Sequence, residues 1–192
     1  MPMTNLLTFL DVARTALQES ERIYAGHRQP KPNGEPGEVL TLDPESKSLK
    51  NALVAIAFSG IYFEALMYIE GCRCVGKGDY DAVERKWGSY TKKLKNVFSV
   101  TDKSVLASCE RFRRSRNDLL HEKAADLSSL IGLSHSKDDG IEFRVAQTEA
   151  RHAFDFITLV TPLLRSAPNK SLNRTRFSGR WACFNFMWLS RR

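Results

Sequence analysis

Between Lys50 and Glu70 the chain carries one charged residue, Glu64, in a stretch that otherwise reads as an apolar helix. Leu49, Leu53, Ile56, Gly60, Phe63 and Met67 recur at helical spacing along one side, and Val54, Phe58, Ile61, Ala65 and Ile69 fill the other. A helix apolar nearly all round is either central in a bundle or shared with a second subunit. A membrane span is the competing reading. Glu64 in its middle, Asn51 and Ser59 within it, and an apolar run at the short limit for spanning argue against one.

The rest of the pattern is helical too. Thr4 and Asn5 are placed to cap a helix carrying Leu6, Leu7, Leu10, Ala13, Leu17 and Tyr24. Residues 25–44 break the pattern with four prolines and three glycines and read as a long loop. Asp79–Phe98 reads as a polar, basic helix with a weak spot at Gly88, its Lys92, Lys93 and Lys95 forming a solvated face. Thr101 or Asp102 begins a fourth helix running to about Lys123. Asp138-Asp139-Gly140 is a turn signal. The alternation of Ile141, Phe143 and Val145 then suggests a short extended segment near 141–146. Gln147–Arg165 closes the pattern as an amphipathic helix, with Pro162 placed to kink or end it. The expectation is an all-α, up-and-down bundle of about five helices: residues 1–44 as helix plus loop, 45–165 as the core, and 166–192 as an appended tail.

The net charge of +7 hints at a nucleic-acid ligand, but its distribution weakens the hint. Asp155 is the last acid, and Lys170, Arg174, Arg176, Arg180, Arg191 and Arg192 follow Ser166, leaving 23 basic against 22 acidic groups in residues 1–165. In the tail, Trp181, Phe184, Phe186 and Trp188 interleave with those cations, a composition able to stack on single-stranded RNA. The composition shift favours a blander reading, a segment of the kind encoded when a frame runs on through a mobile DNA element. Cys72, Cys74, Cys109 and Cys183 make no disulfide framework and no zinc spacing. Without a secretory signal at Met1, the expected home is the reducing cytoplasm, with no metal and no cofactor.

On the fourth helix, Val105, Cys109, Phe112, Arg116 and Leu119 fall on one face. Arg116 thus sits within the core-facing stripe. A guanidinium keeps its charge, so placing it there demands a polar partner. Glu64, alone in its own apolar helix, is the obvious candidate. The two form either a structural ion pair or part of a site. A second face carries Glu110, Arg114, Asn117 and His121, the last an imidazole able to titrate near neutral pH.

Arg116-Asn117-Asp118-Leu119-Leu120-His121 resembles the Arg-x4–6-His signature of the HEPN superfamily, in the variant where Asn follows Arg. Arg22 to His27 has the same spacing but runs into the Gly/Pro-rich loop. The second match lies on a late amphipathic helix, after a long apolar helix and before a closing one, which is the HEPN order of elements. The resemblance covers roughly residues 45–165. It implies a helical bundle that forms a homodimer and brings two Arg/His motifs into one cleft. It also implies metal-independent ribonuclease activity, often in toxins or defence proteins, sometimes neutralised by an antitoxin protein. Carried over, Arg116 and His121 match the catalytic pair and Asn117 the residue that positions them. The proline-rich loop and basic tail depart from the family's pattern and leave the subfamily open. Glu64, as an orienting partner for Arg116, is added from the residues themselves.

The residue types suit that chemistry. An RNA 2′-hydroxyl, once deprotonated, attacks the adjacent phosphate; an imidazole transfers the protons and a guanidinium stabilises charge on the phosphoryl oxygens. The alternatives are a non-catalytic HEPN-like module that binds a nucleotide or a protein, and a purely structural helical dimer. If Glu64 is buried, Arg116→Ala is expected to cost roughly 3–5 kcal/mol.

Overall fold

The apolar helix read around Glu64 is the spine of the molecule. In a computed structural model, which describes residues 3–32, 34, 36–40, 45–121 and 139–170, it spans Lys47–Val75. At 3–4, 28, 38–40, 118–121 and 139–145 the backbone alone is described. The described residues form α1 (Met3–Gly26), β1 (Arg28–Pro30), β2 (Glu38–Leu40), α2 (Lys47–Val75), α3 (Lys77–Lys86), α4 (Tyr90–Asn96), α5 (Lys103–His121) and α6 (Asp139–Ser166). The fold is all-α apart from the small ribbon.

Contacts fix the directions of the long helices. Phe9 meets Phe58 and Ser20 meets Ser48, so α1 and α2 are antiparallel. Gln147 meets Ser48 and Thr161 meets Tyr62, so α6 runs parallel to α2. Ser108 meets His152 and Arg111 meets Glu149, so α5 is antiparallel to α6. The four long helices therefore alternate in direction, and the short α3 and α4 make an excursion between α2 and α5.

The core is built where the apolar stripes meet. Ile56, Phe63 and Met67 of α2 are buried with Leu17 of α1, Phe112 of α5, and Phe156, Ile157 and Val160 of α6. Phe63 makes edge contacts with Tyr90, Phe112 and Phe156 at 5.3, 5.7 and 5.1 Å between ring centroids. Each such aromatic buries enough area to contribute roughly 1.5–3 kcal/mol before ordering costs. The opposite side of α2 is only partly covered: Val54, Ile61 and Tyr68, one heptad apart, are exposed.

Polar knots hold both ends. At one end Ser20 Oγ donates to the Ser48 carbonyl at 2.8 Å, Ser48 Oγ donates to the Ser20 carbonyl at 3.0 Å, and Gln147 bonds Ser48 Oγ, all buried. At the other, Arg73 Nη2 donates to the carbonyls of Leu164, Arg165 and Ala167, satisfying acceptors at the α6 C-terminus that have no partner within the helix. Ala167 is buried, and the Lys170 amide donates to the Cys74 carbonyl at 2.6 Å, so the chain is anchored through Lys170.

Several expectations need correction. The 25–44 segment contains an antiparallel ribbon, Arg28 opposite Leu40 and Pro30 opposite Glu38, with Gly34 and Gly37 at positive φ in its connection. Asp79–Phe98 is two helices, broken at Trp87–Ser89 where the chain turns extended. That break rotates Lys93 inward, where it is 5% exposed and paired with Glu84 at 2.7 Å instead of solvated. Residues 141–146 are helical, not extended, because α6 begins at Asp139. A lone strand needs a neighbour for its backbone groups, and continuation of α6 satisfies them within the segment. The helix also continues past Pro162 to Ser166. The tail from residue 171, with its aromatics, lies outside the described residues.

Candidate functional site

Asp102 caps α5 as expected, accepting from the Ser104 and Val105 amides at 2.7 and 3.3 Å. That start fixes the helix register. Val105, Cys109 and Phe112 enter the core, and Arg116 follows on the same face at its margin. There the structure brings Arg116 onto Glu64. Nη1 donates to Oε1 at 2.8 Å and Nη2 to Oε2 at 3.1 Å, a bidentate fork. The Arg116 side chain is 19% exposed and that of Glu64 45%, so the cation is sunk and the carboxylate lies at the rim.

Two residues complete the arrangement. The Tyr90 hydroxyl, at the start of α4, accepts from Arg116 Nη1 and donates to Glu64 Oε1. Burial, with the Glu64 carboxylate bonded to it, pushes the Tyr90 phenol well above its usual range, so it stays a neutral hydroxyl able to do both. Beneath the guanidinium lies Gly60. A Cβ there would stand 2.6 Å from Arg116 Nε and 2.7 Å from its Cδ. Arg116 Nε is buried without a partner. Gly60 has a sequence signal, an isolated glycine inside a helix, which commonly marks close packing. Tyr90 has none, because it reaches the site only through the turn between α3 and α4.

Asn117 follows Arg116 and is half-buried on α5, while His121 is the last residue of that helix and its side chain lies outside the described part. The other Arg-x4-His match is split by the fold. Arg22 is exposed on α1 and paired with Glu19 at 2.7 Å, and His27 lies in the turn after the helix.

A second polar cluster, not singled out in the sequence, lines the α5–α6 seam. Ser108 Oγ lies 3.0 Å from His152 Nε2, Arg111 Nη2 donates to Glu149 Oε1 at 2.6 Å, and Ser115 donates to the same carboxylate. Burial, with the Arg111 charge behind it, holds the His152 imidazole below its usual range. The hydrogen bonds from Arg111 and Ser115 outweigh burial and hold Glu149 low. Serine, imidazole and carboxylate do not form a relay, since His152 Nδ1 is buried without a partner and Glu149 is engaged elsewhere.

Burial pushes the Cys109 thiol up to about 12 and raises Cys72 and Cys74, which makes all three poor nucleophiles. Among the described residues no three His, Cys, Asp or Glu side chains gather as a metal site. Among the described residues one helix, Lys47–Val75, is long and apolar enough to cross a membrane, and half of its most apolar window is buried inside the bundle. No family model, curated protein or solved structure matches the chain.

Proposed function

We propose that the chain is a HEPN-like, metal-independent endoribonuclease of toxin or defence type that acts in the cytoplasm as a homodimer. The observation that carries this reading is the held cation. Arg116 is fixed at the core margin by Glu64 and Tyr90, in a notch that only a glycine at position 60 leaves open. An ion pair whose carboxylate lies at the rim contributes only modestly to the stability of a fold. An arginine given a partner on each of two other helices is therefore better explained by what it presents. Asn117 and His121 follow it on α5, so Arg116, Asn117 and His121 lie within the last six residues of one helix.

In this reading Arg116 stabilises charge on the scissile phosphate, Asn117 positions the pair, and His121 transfers protons to and from the 2′-hydroxyl and the leaving oxygen. Glu64 orients Arg116. One imidazole per chain is thin for two proton transfers, which makes a two-chain cleft sensible. The exposed heptad stripe of Val54, Ile61 and Tyr68 supports such pairing, since Glu64 lies only ~60° round α2 from Ile61. The purified protein should cut single-stranded RNA in EDTA and leave 2′,3′-cyclic phosphate ends. His121→Ala should abolish the cut, and cleavage that survives it, or that needs a divalent metal, defeats the mechanism.

A second reading has an observation of its own. The bidentate edge of Arg116 is filled by Glu64, which also suits a non-catalytic HEPN-like module binding a nucleotide or a protein such as an antitoxin. Specific binding without cleavage of any RNA would select it.

A further inference from the structure

The filled fork has a consequence for how a ligand reaches it. A phosphate and a carboxylate compete for the same two parallel N–H groups of a guanidinium. Glu64 takes both, Nη1 also donates to Tyr90, and Nε is buried over Gly60. A phosphate group therefore binds Arg116 in two-point fashion only if Glu64 leaves.

Resting on the reading that Arg116 faces the substrate, we infer that Glu64 is a displaceable guard on a phosphate receptor formed by Arg116 and Tyr90. Exposure decides which partner moves. Glu64 is nearly half exposed, and a rotamer change takes its carboxylate into water. Arg116 is mostly sunk, its stem lies in the Gly60 notch, and Tyr90 keeps hold of Nη1 while edge-packed on Phe63. The exchange swaps one anion for another, so at no stage is a sunken cation left unpaired. The guard also sets a threshold: a phosphate must outcompete a carboxylate attached to the protein, which selects against weak anions. The ligand class is a phosphate group, either the diester of an RNA strand or the terminal phosphate of a nucleotide.

The test measures binding by the full chain, apart from cleavage. A fluorescent 2′-O-methyl RNA oligonucleotide, which has no attacking hydroxyl, is titrated by anisotropy, and AMP by calorimetry. Glu64→Gln should bind one of them about fivefold tighter, the factor matching the upper end of what an exposed ion pair contributes. Tyr90→Phe should weaken the same ligand. Glu19→Gln, an equal change of charge on an exposed face of α1, should shift affinity less than about twofold, as screened surface charges do. Glu64→Ala serves if the glutamine variant fails to melt cooperatively. Gain with the oligonucleotide alone identifies the strand backbone, and gain with AMP alone a nucleotide. If the Glu64 variants bind no tighter than Glu19→Gln, or bind neither ligand, the guard is refuted. If they bind tighter while unmodified RNA stays intact, the guard stands and the ribonuclease reading falls.

Discussion

Replacing Gly60 by alanine tests the central geometry by setting two effects of opposite sign against each other. Inside a helix, alanine is favoured over glycine by about 0.5–1 kcal/mol, because glycine loses more backbone entropy on folding. Position 60 lies inside α2, so alone the change should stabilise. The new Cβ would, however, stand 2.6 Å from Arg116 Nε, against a contact distance of about 3.5 Å, so the side chain must retreat. Retreat breaks the fork with Glu64 and the bond to Tyr90. Charge-assisted bonds contribute about 1.5–3 kcal/mol, discounted to about 1–2 because Glu64 lies at the rim. In the native background the balance should be a net loss of about 0.5–1 kcal/mol. In an Arg116→Ala background the obstacle is gone and the same change should stabilise by about 0.5–1 kcal/mol. Urea denaturation of the four proteins, followed by far-UV circular dichroism, yields a coupling of about 1–2 kcal/mol. A Gly60→Ala change that stabilises both backgrounds equally would show that Arg116 does not lie over Gly60.

Arg116→Ala itself should cost about 1–2 kcal/mol, below the 3–5 expected for a buried pair, because the stranded Glu64 carboxylate is solvated; a loss above about 4 by the same urea assay would put Glu64 inside the core. His152, held below its usual range by burial and Arg111, makes stability fall as pH drops. The unfolded imidazole takes its proton near pH 6.5 while the folded one lags, so the melting temperature should decline between about pH 7 and 5. The lowered carboxylates of Glu149, Glu110 and Asp102 lose their contribution only nearer pH 4. His152→Gln should flatten the upper limb, and an unchanged slope would remove His152 as its cause. Light scattering at micromolar concentration should give twice the chain mass, and substituting Ile61 by aspartate on the exposed α2 stripe should halve it; one chain mass for the native protein would sink the shared cleft.

The sequence determined what depends on periodicity and on charges out of place. The two faces of α2 were legible because apolar residues recur at 3.6-residue spacing, and one of those faces is the one only partly covered. Glu64 and Arg116 were legible as partners because each is a lone charge in an apolar stripe, and a lone charge must be met. What the tertiary structure alone decided is who else stands there, and how deep. Tyr90 arrives because Trp87–Ser89 turns the chain, and the same turn buries Lys93 on Glu84. Residues 141–145 have the alternation of a strand, yet five residues of pattern do not choose between periods of 2 and 3.6 when α6 can absorb them. The seam joining Ser108, His152, Arg111 and Glu149 spans about 40 positions of sequence, and no local pattern records such a meeting. Burial depth is likewise a property of neighbours: the chain states that Glu64 and Arg116 pair, and only packing sinks the guanidinium while leaving the carboxylate at the rim.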